Sequence, residues 1–224
     1  MQPDRCESNE RFAHLAKVLL FCALALGLNI ALFMIGHLLT IPLFLDTVGT
    51  VAVGFAFGFF PGVAVAALTW LADYVFLSED FHPYFFVAAA EVLLVSLLRS
   101  GVSGSADSRK QPAIPRDRAV SVAGVFARLT LLYLICVVAT SVLGGAIDFL
   151  YHTAWGAERA DYFTAVDTIR ASLLHGGIPV PVANVLSRLQ INLVDRFVAI
   201  FGGYLVSRGL WRLTFQRRGQ LFGR

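Results

Sequence analysis

A run of polar residues at helical spacing interrupts the apolar sequence near the C-terminus. These residues are Asn184, Arg188, Asn192, Asp195 and Arg196. The first four are separated by four, four and three residues, so an α-helix would carry them on one face. Because lipid cannot satisfy amides, guanidinium groups and carboxylates, such a face in a membrane must be turned toward protein or toward a bound polar solute. We predict solute contacts for Asn184, Arg188 and Asn192. Asp195 and Arg196 are predicted to have structural roles.

Other polar side chains stand alone within apolar sequence and are candidates for the same solute site. They are Asn29, His37, Asp46, Thr47 and Asp73. The carboxylate of Asp46 could equally cap the helix that follows, since it can accept hydrogen bonds from the free amides at a helix N-terminus. Arg128 is a candidate structural ion-pair partner of Asp195. Two further carboxylates, Glu91 and Asp148, are expected to be hydrogen-bonded structural groups.

The sequence contains no recognisable catalytic or metal-binding set. Its three cysteines, Cys6, Cys22 and Cys136, lack metal-ligand spacing, and no Ser or Cys has an identifiable general base. There is also no phosphate-binding Gly-Lys-Ser/Thr loop, which the usual ATP-hydrolysing motif requires. We therefore expect a protein that is not an enzyme and that uses no cofactor or metal.

The elements that would hold these polar side chains are long and apolar. From Val18 to Leu98 the chain has no lysine or arginine, and hydrophobic residues make up 57% of the whole against 15% charged residues, with a mean hydropathy of +0.71. A cation at the centre of a bilayer costs roughly 2.5–3.5 kcal/mol on insertion scales, so a long stretch without cations indicates lipid as the surrounding solvent. The sequence predicts an all-α, polytopic membrane protein that forms a single domain over residues 1–224.

A helix needs about 20 residues to cross a hydrocarbon core of roughly 30 Å. Six segments meet or approach that length: about 15–39, 43–60, 63–77, 84–98, 119–150 and 182–206. Residues 99–118 are rich in Ser, Gly, Pro and charge and are predicted to form a cytoplasmic loop. Residues 157–175 have the apolar spacing of an amphipathic helix, which would lie outside the membrane, either as a lid over the solute or at the level of the headgroups.

Basic residues cluster before the first segment, between the fourth and fifth, and after the sixth. Six crossings put all three clusters on one side of the membrane, and the positive-inside rule identifies that side as the cytoplasm. Both termini are therefore predicted to be cytoplasmic, in a protein of the cell membrane. The basic clusters lack interleaved aromatic residues, so we attribute them to topology and to lipid headgroups and expect no nucleic-acid partner.

Small residues recur at every fourth position of the first segment, at Ala23, Gly27 and Ala31. This spacing puts them on one helix face, where another backbone can approach closely. The face could pack within this chain or dock to another membrane subunit. A second pair with the same spacing, Gly54 and Gly58, is predicted to serve packing within the chain.

Residues 41–50 and the segment after them resemble a known family. They read Ile-Pro-Leu-Phe-Leu-Asp-Thr-Val-Gly-Thr, followed by the small-residue-rich stretch 54–62 and by Ala-Ala-Leu-Thr at 66–69. This pattern is similar to the second and third helices of the substrate-binding membrane subunit (S component) of energy-coupling factor (ECF) transporters. Residues 192–199, Asn-Leu-Val-Asp-Arg-Phe-Val-Ala, are similar to the final helix of many such sequences, with Arg196 where lysine is common. The likeness extends over nearly the whole chain in length and helix count, and its motifs lie mainly in residues 41–69.

The resemblance implies a six-helix protein that captures a vitamin or similar micronutrient at the outer face of a prokaryotic inner or plasma membrane. A separate membrane coupling subunit and two ATPase subunits would supply the energy, and small residues of the first helix would contact the coupling subunit. Ala23 and Gly27 give that pattern as Ala-x-x-x-Gly, where the family has Ala-x-x-x-Ala.

Two alternatives stand beside solute uptake. Residues 41–50 also resemble membrane sensor regions that precede histidine kinases, which suggests a membrane sensor or scaffold that recruits a cytoplasmic partner. The other alternative is an ion-driven carrier that uses Asp73, Glu91 or Asp195 for coupling.

Overall fold

The apolar stretches fold into helices throughout the described chain. A computed structural model describes residues 4–39, 43–77, 83–102, 122–155 and 164–215. Residues 103–118 of the predicted loop and residues 157–163 of the predicted external helix lie outside this part. The side chain of His37 also lies outside the described residues, although its backbone belongs to the first helix.

The described residues contain helices and no strand, so the all-α prediction is confirmed. In chain order the elements are α1 (Asp4–Leu38), a 3-10 turn (Leu45–Thr47), α2 (Val48–Phe57), α3 (Phe59–Leu77), α4 (Phe85–Val102), α5 (Val122–Trp155), α6 (Thr164–His175), α7 (Val180–Phe197), a π-helical turn (Val198–Gly202) and α8 (Gly203–Phe215). Because α7, the π turn and α8 follow one another without interruption, they form one continuous helix. Each predicted segment thus contains a helix, although the boundaries differ.

The boundary between the second and third segments is predicted at Pro61-Gly62, whereas the structure breaks the helix at Gly58. Gly58 has φ +92°, a conformation that side chains with a Cβ rarely adopt. Pro61 lies within the first turn of α3, where its missing N–H leaves no intrahelical hydrogen bond unmade. The predicted loop boundary is also wrong, because residues 99–102 continue α4.

Three helices are long and apolar enough to cross a membrane, by length and composition: Phe12–Gly36, Val122–Leu150 and Val180–Thr214. Two shorter apolar helices span Leu45–Phe57 and Phe59–Val75. Large apolar side chains such as Leu97, Phe126 and Leu205 are exposed on the helix surfaces. Lipid accommodates such surfaces and water does not, so the chain has the character of a multi-pass membrane protein.

The shortest apolar helix, α2, occupies the centre of the bundle and packs against α1, α3, α4 and α8. All of its residues from Val48 to Phe55 are buried. On one side, Phe55 joins a core that includes Val95 of α4 and Leu132 of α5. On the other side, Val53 packs with Phe21 of α1. The neighbouring helices α5 and α7 pack along each other and carry most of the buried polar groups described below.

Candidate functional site

The polar face of α7 is turned into the bundle. Its five polar residues named from the sequence, Asn184, Arg188, Asn192, Asp195 and Arg196, are all buried. Apolar residues at the intervening positions, among them Leu193, Val194 and Phe197, are exposed. The helix therefore separates a lipid-compatible face from a polar face that meets α4, α5 and the turn before α2.

Arg188 is paired within the chain. Its Nη2 donates to Oδ1 of Asp148 at 2.8 Å, and its Nε donates to Oδ2 of the same carboxylate. The hydroxyl of Tyr84 also donates to Asp148, and the ring of Tyr84 lies 4.5 Å from the guanidinium carbon. The ring of Phe44 lies on the same guanidinium at 5.9 Å. A bidentate ion pair with an aromatic neighbour fixes the planar guanidinium group firmly, so Arg188 links α7 to α5 and to Tyr84, the residue directly before α4.

Asn192 lies one turn further along α7 and is also anchored. Its Nδ2 donates to Oγ of Ser141 on α5 at 2.9 Å. This hydrogen bond adds a second polar link between the two helices. Asn192 lies on the polar face of α7, as predicted, but at least one hydrogen of its amide is bonded within the fold.

At the C-terminal end of the polar face of α7, three residues form an ionic group that we call the triad. They are Glu91 of α4 and Asp195 and Arg196 of α7. Arg196 donates through Nη1 to Glu91 and through Nη2 to Asp195, and all three side chains are buried. The proposed pairing of Arg128 with Asp195 is wrong, because Arg128 is exposed on α5 while Asp195 pairs with its neighbour in sequence.

Asn29 forms hydrogen bonds with the first turn of α2 and with α3. Its Oδ1 accepts from the amide of Gly49 at 2.6 Å, and its Nδ2 donates to Thr50 at 2.9 Å and to Thr69 at 3.0 Å. An Asn amide has two donor hydrogens, and both have partners here. Asn29 therefore joins α1 to α2 and α3, and its amide oxygen receives an amide hydrogen in the first turn of α2.

Two predicted solute contacts have polar atoms with no partner among the described residues. Asn184 is 0% exposed, yet neither its Nδ2 nor its Oδ1 has a hydrogen-bond partner. Thr47 is 5% exposed, and its Oγ1 likewise has none. Asp46, which precedes it in the 3-10 turn, is half-buried, and Asp73 is buried on α3. Within the described part of the chain, Asn184 and Thr47 thus keep unused hydrogen-bonding capacity.

The small residues of α1 lie on the outside of the bundle. Ala23, Gly27 and Ala31 are exposed, and a Cβ added at Gly27 would meet no atom within 4 Å. The opposite face of the helix supplies the buried residues, including Phe21 and Ala25. By contrast, Gly54 of α2 packs against the side chains of α4, as predicted. The α1 face therefore has no packing role within the described chain.

Sequence reasoning left four contributors to this region outside the predicted site. Phe44, Tyr84 and Ser141 were not singled out, and Asp148 was considered only as a structural group. None of the four belongs to α7, and the fold brings each of them close to its polar face. Tyr84 stands at the start of a predicted helix, but nothing in its local spacing indicates that it faces Arg188.

Comparison of the chain with protein-family models, with curated proteins and with solved structures finds no match. The chemistry of the site is therefore inferred from the residues of this chain alone.

Proposed function

We propose that this chain is the solute-binding subunit of a membrane uptake transporter of the ECF type. In this proposal the chain crosses the membrane six times, has both termini in the cytoplasm and binds a vitamin-like small molecule between its helices. A separate coupling subunit and ATPase subunits supply the energy. The sequence resemblance over residues 41–69 suggests the family, and the buried polar face of α7 supports a solute site within the bundle.

The observation that carries the proposal is the unsatisfied amide of Asn184. A buried polar group without a partner costs about 1–3 kcal/mol, and an Asn side chain here has both a donor group and an acceptor in that state. A fold that retains such a group gains when a ligand supplies the missing hydrogen bonds. Asn184 also lies one helical turn from Arg188, whose charge is already balanced by Asp148. We therefore assign solute recognition to hydrogen bonds from Asn184 and assign Arg188 to holding the helices around it.

Replacing Asn184 by leucine tests this assignment. The variant removes an unsatisfied amide and keeps the side-chain volume similar, so we expect its thermal midpoint to match or exceed that of the solute-free wild type. We expect native mass spectrometry of the wild-type protein, released from nanodiscs, to show a retained small molecule, and Asn184→Leu to lose it.

Gln190→Leu is the matched control, because it also replaces an amide on α7 but on the exposed side. This variant should retain the small molecule at the wild-type level. The proposed function would be refuted if the purified wild-type protein carried no small molecule and if cells that contain it took up no solute from their growth medium. Equal retention by Asn184→Leu and Gln190→Leu would remove Asn184 from the site.

The exposed small residues of α1 support the proposed contact with a coupling subunit. Exposed small residues let a second helix backbone approach closely, and no residue of the described chain fills the space at Gly27. We expect Gly27→Leu to reduce co-purification of the coupling and ATPase subunits at least about tenfold, corresponding to about 1.4 kcal/mol of lost binding. Retention of the solute should be unchanged, since Gly27 points away from the bundle.

Val138→Leu provides the comparison, because it enlarges a side chain on the exposed face of α5. Tagged wild type and Val138→Leu should recover the same set of subunits from native membranes. If Gly27→Leu recovered that set equally well, the α1 face would not be the contact. If no ATPase accompanied any of the three proteins, the transporter assignment itself would be contradicted.

A further inference from the structure

The side chain of Asn184 offers a hydrogen-bond donor and an acceptor next to each other. Its Nδ2 and Oδ1 have no partner among the described residues, and the side chain is 0% exposed. A primary amide pairs through two parallel hydrogen bonds with a group that carries an N–H donor beside an acceptor, as asparagine does with the edge of adenine. The unused atoms of Asn184 therefore match one kind of chemical edge, in which donor and acceptor are adjacent.

The packing of α5 against α7 shows which groups lie at the level of Asn184. Ser141 bonds to Asn192, and a Cβ built at Gly145 would lie 2.9 Å from the Cα of Val185. A later residue of α5 thus meets an earlier residue of α7, so the two helices run antiparallel. Asp148 lies three residues beyond Gly145, about 4.5 Å further along α5 at 1.5 Å per residue. Its carboxylate is therefore level with the first turns of α7.

The charges at this level are balanced within the chain. Arg188 donates through Nε and Nη2 to the two oxygens of Asp148, one of which also accepts from the hydroxyl of Tyr84. To reach this carboxylate, the side chain of Arg188 extends toward the N-terminus of α7, over the turn that contains Asn184, as long helical side chains do. One cation and one carboxylate cancel, so the amide of Asn184 stands beside a neutral pair.

Two aromatic rings border the same ion pair. The ring centroid of Tyr84 lies 4.5 Å from the guanidinium carbon of Arg188, and that of Phe44 lies 5.9 Å from it. Both aromatic residues are half-buried. Aromatic rings pack well against other flat, unsaturated rings, in stacked or edge-to-face arrangements. The surroundings of the Asn184 amide therefore favour a planar ring over a charged group.

We propose that the solute presents an uncharged ring edge to Asn184, with a ring N–H next to a carbonyl, as in a lactam or a cyclic ureide. The inference rests on the proposed function, because it assigns a chemical class to the solute of that site. The ring N–H would donate to Oδ1 of Asn184, and Nδ2 would donate to the ring carbonyl. A carboxylate or an ammonium group at this point would be buried without an opposite charge, since Arg188 and Asp148 already neutralise each other.

The test uses three small probes of similar size: 2-pyridone, N-methyl-2-pyridone and picolinate. 2-Pyridone is a flat neutral ring with the required edge, its N-methyl derivative lacks the donor, and picolinate is an anion. The thermal midpoint of the full-length protein is measured in nanodiscs, after prolonged washing to release any retained molecule. At about 50 mM, 2-pyridone should raise the midpoint by about 3 °C, because it binds the folded state. The other two probes should change it by less than about 1 °C.

Two variants assign the response to Asn184. Asn184→Leu should fold and lose the response to 2-pyridone, whereas Gln190→Leu, which replaces an amide on the exposed side of α7, should respond as the wild type does. The proposal would be wrong if 2-pyridone left the wild type unchanged, if N-methyl-2-pyridone or picolinate raised the midpoint equally, or if Asn184→Leu responded fully.

Failure of this proposal can be told apart from failure of the proposed function. A wild-type protein that retains a small molecule in native mass spectrometry but does not respond to 2-pyridone would overturn the chemical class and leave the uptake function standing. Absence of any retained molecule, together with absence of solute uptake by cells, would contradict the uptake function itself.

Discussion

Replacing Arg188 by alanine is expected to lower the free energy of unfolding by about 3–5 kcal/mol, because the carboxylate of Asp148 would remain buried without its cation. The hydrogen bond from Tyr84 would persist but carries no full positive charge. A loss of this size is a large fraction of the stability of a typical domain. Denaturant unfolding in detergent micelles, followed by tryptophan fluorescence, measures it directly.

Two further variants separate charge from packing. Arg128→Ala removes an exposed arginine of α5 and should change the free energy of unfolding by less than about 0.5 kcal/mol. The double variant Arg188→Met with Asp148→Leu removes both charges and should recover most of the loss, since apolar replacements of buried ion pairs are often neutral. If Arg188→Ala were no less stable than Arg128→Ala, the ion pair described here would not exist in the protein.

Among the glycines that the structure describes, Gly49 is the one at which replacement by alanine should be most damaging. An added Cβ would overlap the backbone carbonyl of Ala25 and lie only 2.8 Å from Oδ1 of Asn29. The helices α1 and α2 would have to separate, and the hydrogen bond from the Gly49 amide would be lost. We expect a destabilisation above about 3 kcal/mol and a strongly reduced yield of folded protein in membranes.

Gly27→Ala is the matched control, because it adds the same methyl group to α1 where no atom lies within 4 Å. Its stability should be unchanged or raised by up to about 1 kcal/mol through helix propensity. Both variants can be compared by size-exclusion profiles and by thermal midpoints. Similar behaviour of the two would show that α1 and α2 do not approach as closely as the structure has them.

Helix positions could be predicted from this sequence because their signals are local. Apolar length identified each segment, and the spacing from Asn184 to Asp195 showed which residues share a face. The break between the second and third segments was predicted too late in the chain, at Pro61-Gly62. Proline is tolerated in the first turn of a helix, whereas Gly58, with its left-handed backbone, ends α2.

The partners within the site could not be predicted, because they are distant in sequence. Arg188 and Asp148 are 40 residues apart, and Arg196 and Glu91 are 105 apart. Helical spacing orders the residues of one helix but contains no information about which helix lies opposite. The failed pairing of Arg128 with Asp195 shows this, since it relied on opposite charge alone.

We propose that the chain crosses the membrane six times, an arrangement that would enclose the polar face of α7. Single cysteines placed at the exposed positions Phe12, Ser172 and Arg212 test it, in a background without the three native cysteines. In sealed right-side-out vesicles, a membrane-impermeant maleimide should label position 172 immediately and positions 12 and 212 only after permeabilisation. If only the three longest helices crossed, positions 12 and 212 would lie on opposite sides, and that labelling pattern would contradict the account.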